Sequence, residues 1–325
     1  MTADVYSQSM FLVIKVAYLY YIENKSQNEI ALQLKISITT VSRLLKKAKT
    51  DKIVEFVICN PYVECIHLEE DLKNTFGLKD VVIAPSASEY DESMDDGENI
   101  KKLVALEGAR YLQRIIKDGD VLGITWGSTI YHMVNYLNPA QKVNAEFVTL
   151  HGSYAYCDSK FDAPNLALRM AKAFSGGNYA LVTNALMSSK QVADIIKNEK
   201  NTRDIIQKFK KINIAIVGIG SFYPEVTSIL TKSDFLTKEE LSELQDQHVV
   251  GDIAFRFFDY EGKECNTQLV DRMITIDFDV FKKIKKKICL ASGTQKANSV
   301  LSAIKGGLVD VLIVDSSLGK TILSL

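Results

Sequence analysis

The sequence predicts an α/β chain of two domains: a small N-terminal helix-turn-helix domain over residues 1–58 and a larger domain over 59–325 built on a mostly parallel sheet. Three observations carry this reading. Residues 26–49 hold two short amphipathic helical patterns separated by a tight turn. From Pro61 onward, short apolar strands alternate with helices, as in a sheet covered on both faces. Finally, 325 residues with 47% hydrophobic and 24% charged content can fill a large core and exceed the usual single-domain size.

Composition narrows the function classes. Cys59, Cys65, Cys157, Cys265 and Cys289 form no CxxC pair, and neither they nor the four histidines show zinc-site spacing, so no metal or other cofactor is expected. The most apolar run, Phe11 to Ile22, contains Lys15 and is shorter than the roughly 20 residues that cross a bilayer. Asp4 precedes that run with no basic segment before it and no small-residue cleavage site after it. A cytoplasmic protein without a membrane partner is therefore expected. The formal net charge of −1 hides an asymmetry. Met1 to Phe56 carries eight basic against five acidic residues, and between Lys35 and Lys52 six basic residues face only Asp51, as expected where a protein meets phosphates.

Taken in order, Phe11–Asn24 places Ile14, Ala17, Tyr18 and Tyr21 at helical spacing and predicts a first helix. Ser26 and Glu29 form a capping box that opens the second. Ser37 is the N-cap of a third, in which Val41, Leu44, Leu45 and Ala48 make one stripe while Thr39, Thr40, Ser42, Arg43, Lys46 and Lys47 make the other. A short helix, a tight turn and a second helix with small polar residues in its first turns is the arrangement that seats a recognition helix in the major groove of duplex DNA. The hydroxyls and Arg43 would read bases and the lysines would hold phosphates, with Gln27 of the preceding helix counted among the DNA-facing residues. The same pattern also fits a helical hairpin with a solvated charged face.

This segment, "YYIENKSQNEIALQLKISITTVSRLLKKAKTDKIV" (Tyr20 to Val54), resembles the DNA-binding helix-turn-helix of the SorC family of sugar-responsive bacterial regulators. That family has Arg directly after the serine that opens the recognition helix, where this chain has Ile38. Lys52 to Ile58 alternates as a strand would, which makes the domain winged-helix-like, and Asn60-Pro61 breaks it.

Beyond that point, strands are predicted at Val81–Ala84, Asp120–Thr125, Ile212–Gly218, Lys287–Ala291 and Val309–Asp315, with helices at Glu98–Lys117 and Gln295–Ile304. The acidic loop from Asp91 imitates a calcium loop but places its glycine one position late and Lys102 at the twelfth. The lysines of 282–287 read as a solvated connection before a buried strand.

Anion chemistry is expected where a strand ends in a small-residue turn and a helix begins, because free amides and the helix dipole meet there. Gly127, Ser128 and Thr129 form one such turn, though a simple capped helix would look the same. A second runs from Ala291 to Lys296, and a third, around Gly218 and Gly220, is a fragment of a dinucleotide fingerprint lacking its third glycine, which argues against NAD.

"VLGITWGSTI", "VGIGS", "GDIAFRFFDYEG", "DRMITI" and "ASGTQKANSVLSAIKGGLVDVLIVD" occur in the order of the SorC-family effector domain. The resemblance implies a Rossmann-like domain similar to ribose-phosphate isomerase and glucosamine-phosphate deaminase, a phosphorylated-sugar effector, and a homo-oligomer, commonly a tetramer. It maps a phosphate loop onto Gly127, Ser128 and Thr129, a ligand-facing lysine onto Lys296, an acid facing sugar hydroxyls onto Asp252, and a basic position onto His151, with Gly220 in a ligand-facing loop. A histidine there argues against a Schiff base, which only a primary amine can form. His151 fits a buried core residue equally well.

The expected function is thus a transcription regulator that binds double-stranded operator DNA under control of a sugar phosphate or sugar-alcohol phosphate, with no catalytic residues. The alternative is a sugar-phosphate isomerase or deaminase carrying a DNA-binding domain, since a shared fold does not settle function. That alternative needs a positioned acid/base pair, which no motif supplies.

Overall fold

The computed structural model describes residues 2–54, 62–85, 97–153, 158–231 and 235–325. The chain divides into two compact units, Met1–Cys59 and Asn60–Leu325.

The first unit contains α1 (Thr2–Tyr21), α2 (Gln27–Leu34) and α3 (Ile38–Thr50). Val13, Val16 and Ala17 of α1, Ile30 and Ala31 of α2, and Val41, Leu44, Leu45 and Ala48 of α3 form its core. Of the stripe expected on α1, Ala17 is buried, but Ile14 and Tyr18 are exposed and their places are taken by the fully buried Val13 and Val16. Lys52–Val54, expected to open a strand, instead close the end of α3. Lys52 turns left-handed at φ 54°, and the amides of Ile53 and Val54 both donate to Ala48 O, at 2.9 and 3.1 Å. The rest of that expected strand, and most of the acidic loop after Glu89, lie outside the described residues.

The second unit runs α4 (Tyr62–Phe76), β1 (Asp80–Ala84), α5 (Gly97–Ile115), β2 (Val121–Ile124), α6 (Ser128–Asn135), β3 (Glu146–Thr149), α7 (Ala163–Phe174), β4 (Gly177–Tyr179), α8 (Lys190–Asn198), α9 (Lys200–Lys208) and β5 (Ile214–Val217). It continues through β6 (Gly220–Ser221), α10 (Lys238–Asp246), β7 (Gly251–Ile253), β8 (Arg256–Phe258), α11 (Gln268–Arg272), α12 (Phe278–Lys282), β9 (Lys286–Ala291), α13 (Ala297–Lys305), β10 (Val311–Asp315) and α14 (Ser316–Ser324). Seven strands form one sheet in the order β1-β10-β9-β5-β2-β3-β4, every pair parallel. Buried on both faces, its central strands read as unbroken apolar runs such as Ile214–Val217 and Val311–Val314. One face packs residues of α4, α13 and α14, the other residues of α5, α6 and α7.

The short antiparallel sheet β6-β7-β8 was not anticipated. Its strands have two or three residues, too few for alternation to register. The lysine run also needs correction. Lys287 is 4% exposed, and its ammonium lies 2.6 Å from Asp310 and within hydrogen-bond reach of the carbonyl of Ile284 at 2.9 Å. Among the described residues, no helix is long and apolar enough to cross a membrane.

The strand order fixes where a ligand site can form. From β2 the chain moves outward to β3 and β4, then returns to place β5 on the other side of β2. The connections after β2 and β5 therefore diverge and leave a crevice at the carboxyl ends of these strands, the usual binding position in open α/β sheets.

Candidate functional site

All three glycine turns read from the sequence lie at this crevice, since they follow the adjacent strands β2, β5 and β9. They are tied together by hydrogen bonds. Gly218 N–H donates to Thr125 Oγ1 at 3.2 Å, and Ser221 Oγ donates to Gln295 O at 3.4 Å. Asp315 braces the β9 turn by accepting from Gly293 N–H at 2.8 Å while its other oxygen caps α14 through Leu318 N–H at 2.9 Å.

Gly127 is the N-cap of α6 at φ 122°, a conformation that side chains rarely adopt, and it lays no side-chain cap over the first turn. Its own amide donates to Phe161 O at 3.2 Å, so the first-turn amides without an intrahelical partner are those of Ser128, Thr129 and Ile130, one residue on from the turn read in the sequence. Thr129 is buried and Ser128 half-buried.

Gly220 pairs with Asp252 across β6 and β7, and a Cβ on Gly220 would stand 2.1 Å from Asp252 Oδ1. Ser228 Oγ donates to the same oxygen at 2.8 Å. Burial raises the Asp252 carboxyl to a pKa of about 6, against the lowering effects of Ser228 and the Lys296 charge. Lys296 is half-buried. Burial lowers its pKa and the charge of Lys101 adds to this, while Cys289 and Asp252 act in the opposite direction. The crevice thus combines helix amides, a hydroxyl, an ammonium whose pKa burial lowers, and a carboxyl whose pKa burial raises. Such a set suits an anionic group joined to neutral hydroxyls.

His151 requires a correction. It is fully buried, its Nε2 accepts the Trp126 amide at 3.2 Å, and its Nδ1–H donates to Gly152 O at 2.7 Å. Burial lowers its pKa to about 4. Both ring nitrogens are engaged by main chain, which leaves no polar atom for an effector; the residue holds the peptide that leads into Gly127. Trp126 stacks on Phe255 at 5.3 Å between centroids, and Phe255 meets the His151 ring edge-on at 4.6 Å. Ser228 and Phe255 escaped sequence reasoning, because only the pairing of β6 to β8 brings them to the crevice. Two hollows elsewhere, of about 580 Å³ beside Phe222 and Tyr260 and about 700 Å³ beside β1, lack this convergence of donors at strand ends.

In the N-terminal unit, Ser26 and Glu29 make both bonds of the capping box, at 2.8 and 3.3 Å. Ser37 Oγ accepts from Thr40 N–H at 3.1 Å. Lys35 supplies the left-handed turn between α2 and α3 at φ 55°. The stripe expected to be buried on α3 is buried. Thr39, Ser42, Arg43, Lys46 and Lys47 are exposed, and Gln27 and Thr40 are half-buried. The Thr39 and Thr40 hydroxyls each lie 2.8 Å from Ser37 Oγ, so they are partly engaged at the helix cap.

Comparison with known proteins is consistent across the chain. The model of the sugar-binding domain family (Sugar-bind) matches residues 60–324. The deoxyribonucleoside regulator of Bacillus subtilis (strain 168) is 30% identical over 316 residues, 96% of this chain and 97% of that protein. The sorbitol operon regulator of Klebsiella pneumoniae is 27% identical over 320 residues, 98% of this chain and 99% of its own. The crystal structure of full-length SorC from the same organism superimposes with a TM-score of 0.75 over 97% of this chain and 98% of that one. The match spans the helix-turn-helix as well as the sheet domain, and the chain belongs to the SorC family of sugar-binding transcriptional regulators.

Proposed function

We propose that the protein is a cytoplasmic transcription regulator, not an enzyme, whose affinity for operator DNA is set by a phosphorylated sugar or sugar alcohol. The observation that carries this reading is the convergence of the α6 amides, Thr129, Lys296 and Asp252 at the switch point of the sheet, in a chain that also holds a basic recognition helix. The phosphate is received by the amides of Ser128 to Ile130 and by Lys296, because a phosphate is the group most costly to desolvate and needs several donors at once. Asp252, held by Ser228, accepts from sugar hydroxyls. The curated relatives, named as deoxyribonucleoside and sorbitol operon regulators, support a regulator over an isomerase. Residues 1–58 bind DNA and residues 59–325 bind effector and assemble a homo-oligomer, a tetramer in the family reading.

The effector changes DNA affinity only through its differential affinity for the two arrangements of the assembly. Thermal shift with paired phosphorylated and neutral sugars tests the site, because a native-state ligand raises apparent stability by mass action. A phosphorylated member should stabilise wild type, and Lys296→Ala and Thr129→Val should each weaken that response. Equal stabilisation by the neutral sugar in wild type and Lys296→Ala would overturn the assignment. Saturable binding without turnover separates the regulator from an isomerase.

A further inference from the structure

The first turn of α3 carries a large apolar side chain where a DNA reader ordinarily presents polar ones. Ile38 is 50% exposed, and Leu32 on α2 is 81% exposed. Together with Ala31, Ile36 and Lys35 they line a hollow of about 680 Å³ at the turn between the two helices. Ile38 takes no part in the helical core, whose α3 members are Val41, Leu44, Leu45 and Ala48. An isoleucine half in water gains little for folding, so core packing does not explain its presence.

Its surroundings point to one occupant. Ser42 and Lys49 stand four and eleven residues after Ile38, on the same flank of α3, and both are exposed. Lys35 lines the same hollow, and Arg43 and Lys46 are exposed farther along α3. An apolar side chain with Lys35 beside it and Lys49 on its flank of the helix suits a polyanion that itself presents an apolar group. The major groove of DNA does so at a single base edge, the C5-methyl of thymine. The N-terminal residues of a recognition helix are those that reach base edges. The nearby hydroxyls of Thr39 and Thr40 are already drawn to Ser37 Oγ, which leaves Ile38 as the prominent group of that turn not engaged at the cap.

We propose that Ile38 is a specificity-determining residue that reads a thymine methyl in each half-site; this inference rests on the proposal that the first unit binds operator DNA. It differs from the phosphate contacts of Lys46 and Lys47 in carrying sequence information. It differs from Arg43 in needing no hydrogen bond.

The full chain is used to select its preferred duplex from a random pool, and each thymine is then replaced by deoxyuridine, which removes the methyl and keeps the base pair. At one position per half-site this replacement should weaken wild-type binding by about 3- to 10-fold, as expected for withdrawing a single methyl from apolar contact. Ile38→Ala should bind the thymine duplex more weakly by a similar factor and be indifferent to deoxyuridine at that position, with its thermal unfolding unchanged. Retention of the full methyl dependence by Ile38→Ala, or no methyl-sensitive position for wild type, overturns the role of Ile38 while leaving DNA binding intact. A pool that yields no preferred sequence overturns the DNA-binding proposal and this inference together.

Discussion

The main-chain amide of Trp126 donates to Nε2 of His151 at 3.2 Å, and this bond joins the end of β2 to a fully buried imidazole that carries no charge at neutral pH. The connection makes His151 a positioning residue for the Gly127 turn. It also pairs, in its pH behaviour, with the buried carboxyl of Asp252.

The first prediction concerns that pH behaviour. His151 has a pKa near 4 in the folded protein against 6.5 unfolded, so between these values the unfolded chain binds the extra proton and stability is lost as pH falls through the window. Asp252 has a pKa near 6 against 3.8, so the folded chain holds the extra proton and stability is lost as pH rises through that window. Each spans roughly 3 kcal/mol at 1.36 kcal/mol per unit, and between pH 4 and 6 they oppose one another. Denaturant titrations from pH 4 to 7 should show Asp252→Asn gaining stability relative to wild type as pH rises. His151→Gln should show the opposite slope, gaining on wild type as pH falls. Parallel curves for wild type and both variants would contradict these environments.

Gly220→Ala should damage the crevice through Asp252. The added Cβ would meet Asp252 Oδ1 at 2.1 Å and Ser228 Oγ at 2.9 Å. Both are buried, so a destabilisation of about 1–3 kcal/mol is expected, as for other overpacked interiors. The effector response should fall with it. Calorimetry and effector titration on the same sample check both effects.

On the DNA side, Arg43→Ala should weaken binding to the preferred duplex by about 1–3 kcal/mol if its exposed guanidinium contacts a base edge, with little effect on random DNA. Lys46→Ala and Lys47→Ala should weaken binding to all sequences and each lower the slope of log affinity against log salt by about 1. Fluorescence anisotropy at several salt concentrations separates the two classes.

Asp310 accepts from both Lys287 and Lys79, at 2.6 and 2.9 Å, and these neighbours hold its carboxyl below the usual carboxylate range despite burial. Asp310→Ala leaves the ammonium of Lys287 buried without its counter-charge. A loss of about 3–5 kcal/mol is expected, as for other buried pairs broken from one side. Lys79→Ala, where the ammonium is largely exposed, should cost under about 1 kcal/mol. Urea unfolding of the two variants measures the contrast.

The sequence by itself determined the features that depend on neighbours along the chain. The capping box of Ser26 and Glu29, the N-cap Ser37 and the stripe Val41, Leu44, Leu45 and Ala48 are local, and each is present as read. So are β1, β2, β5, β9 and β10 of the parallel sheet, because burial on both faces removes any polar interruption, whereas β3 and β4 were not read. Gly127 was also legible as a turn residue at a strand end, whereas Gly220, read from a similar turn, opens strand β6. Other features were decided only by tertiary structure. The order of strands brings three distant turns to one crevice, and the pairing of β6 with β7 sets Ser228 against Asp252. Main-chain partners engage both ring nitrogens of His151, and Asp310 draws Lys287 out of a run that looked solvated. A side chain's charge, partners and exposure depend on residues distant along the chain, as the hydrogen bond between Thr125 and Gly218, 93 positions apart, shows, and no periodicity along the chain encodes that distance.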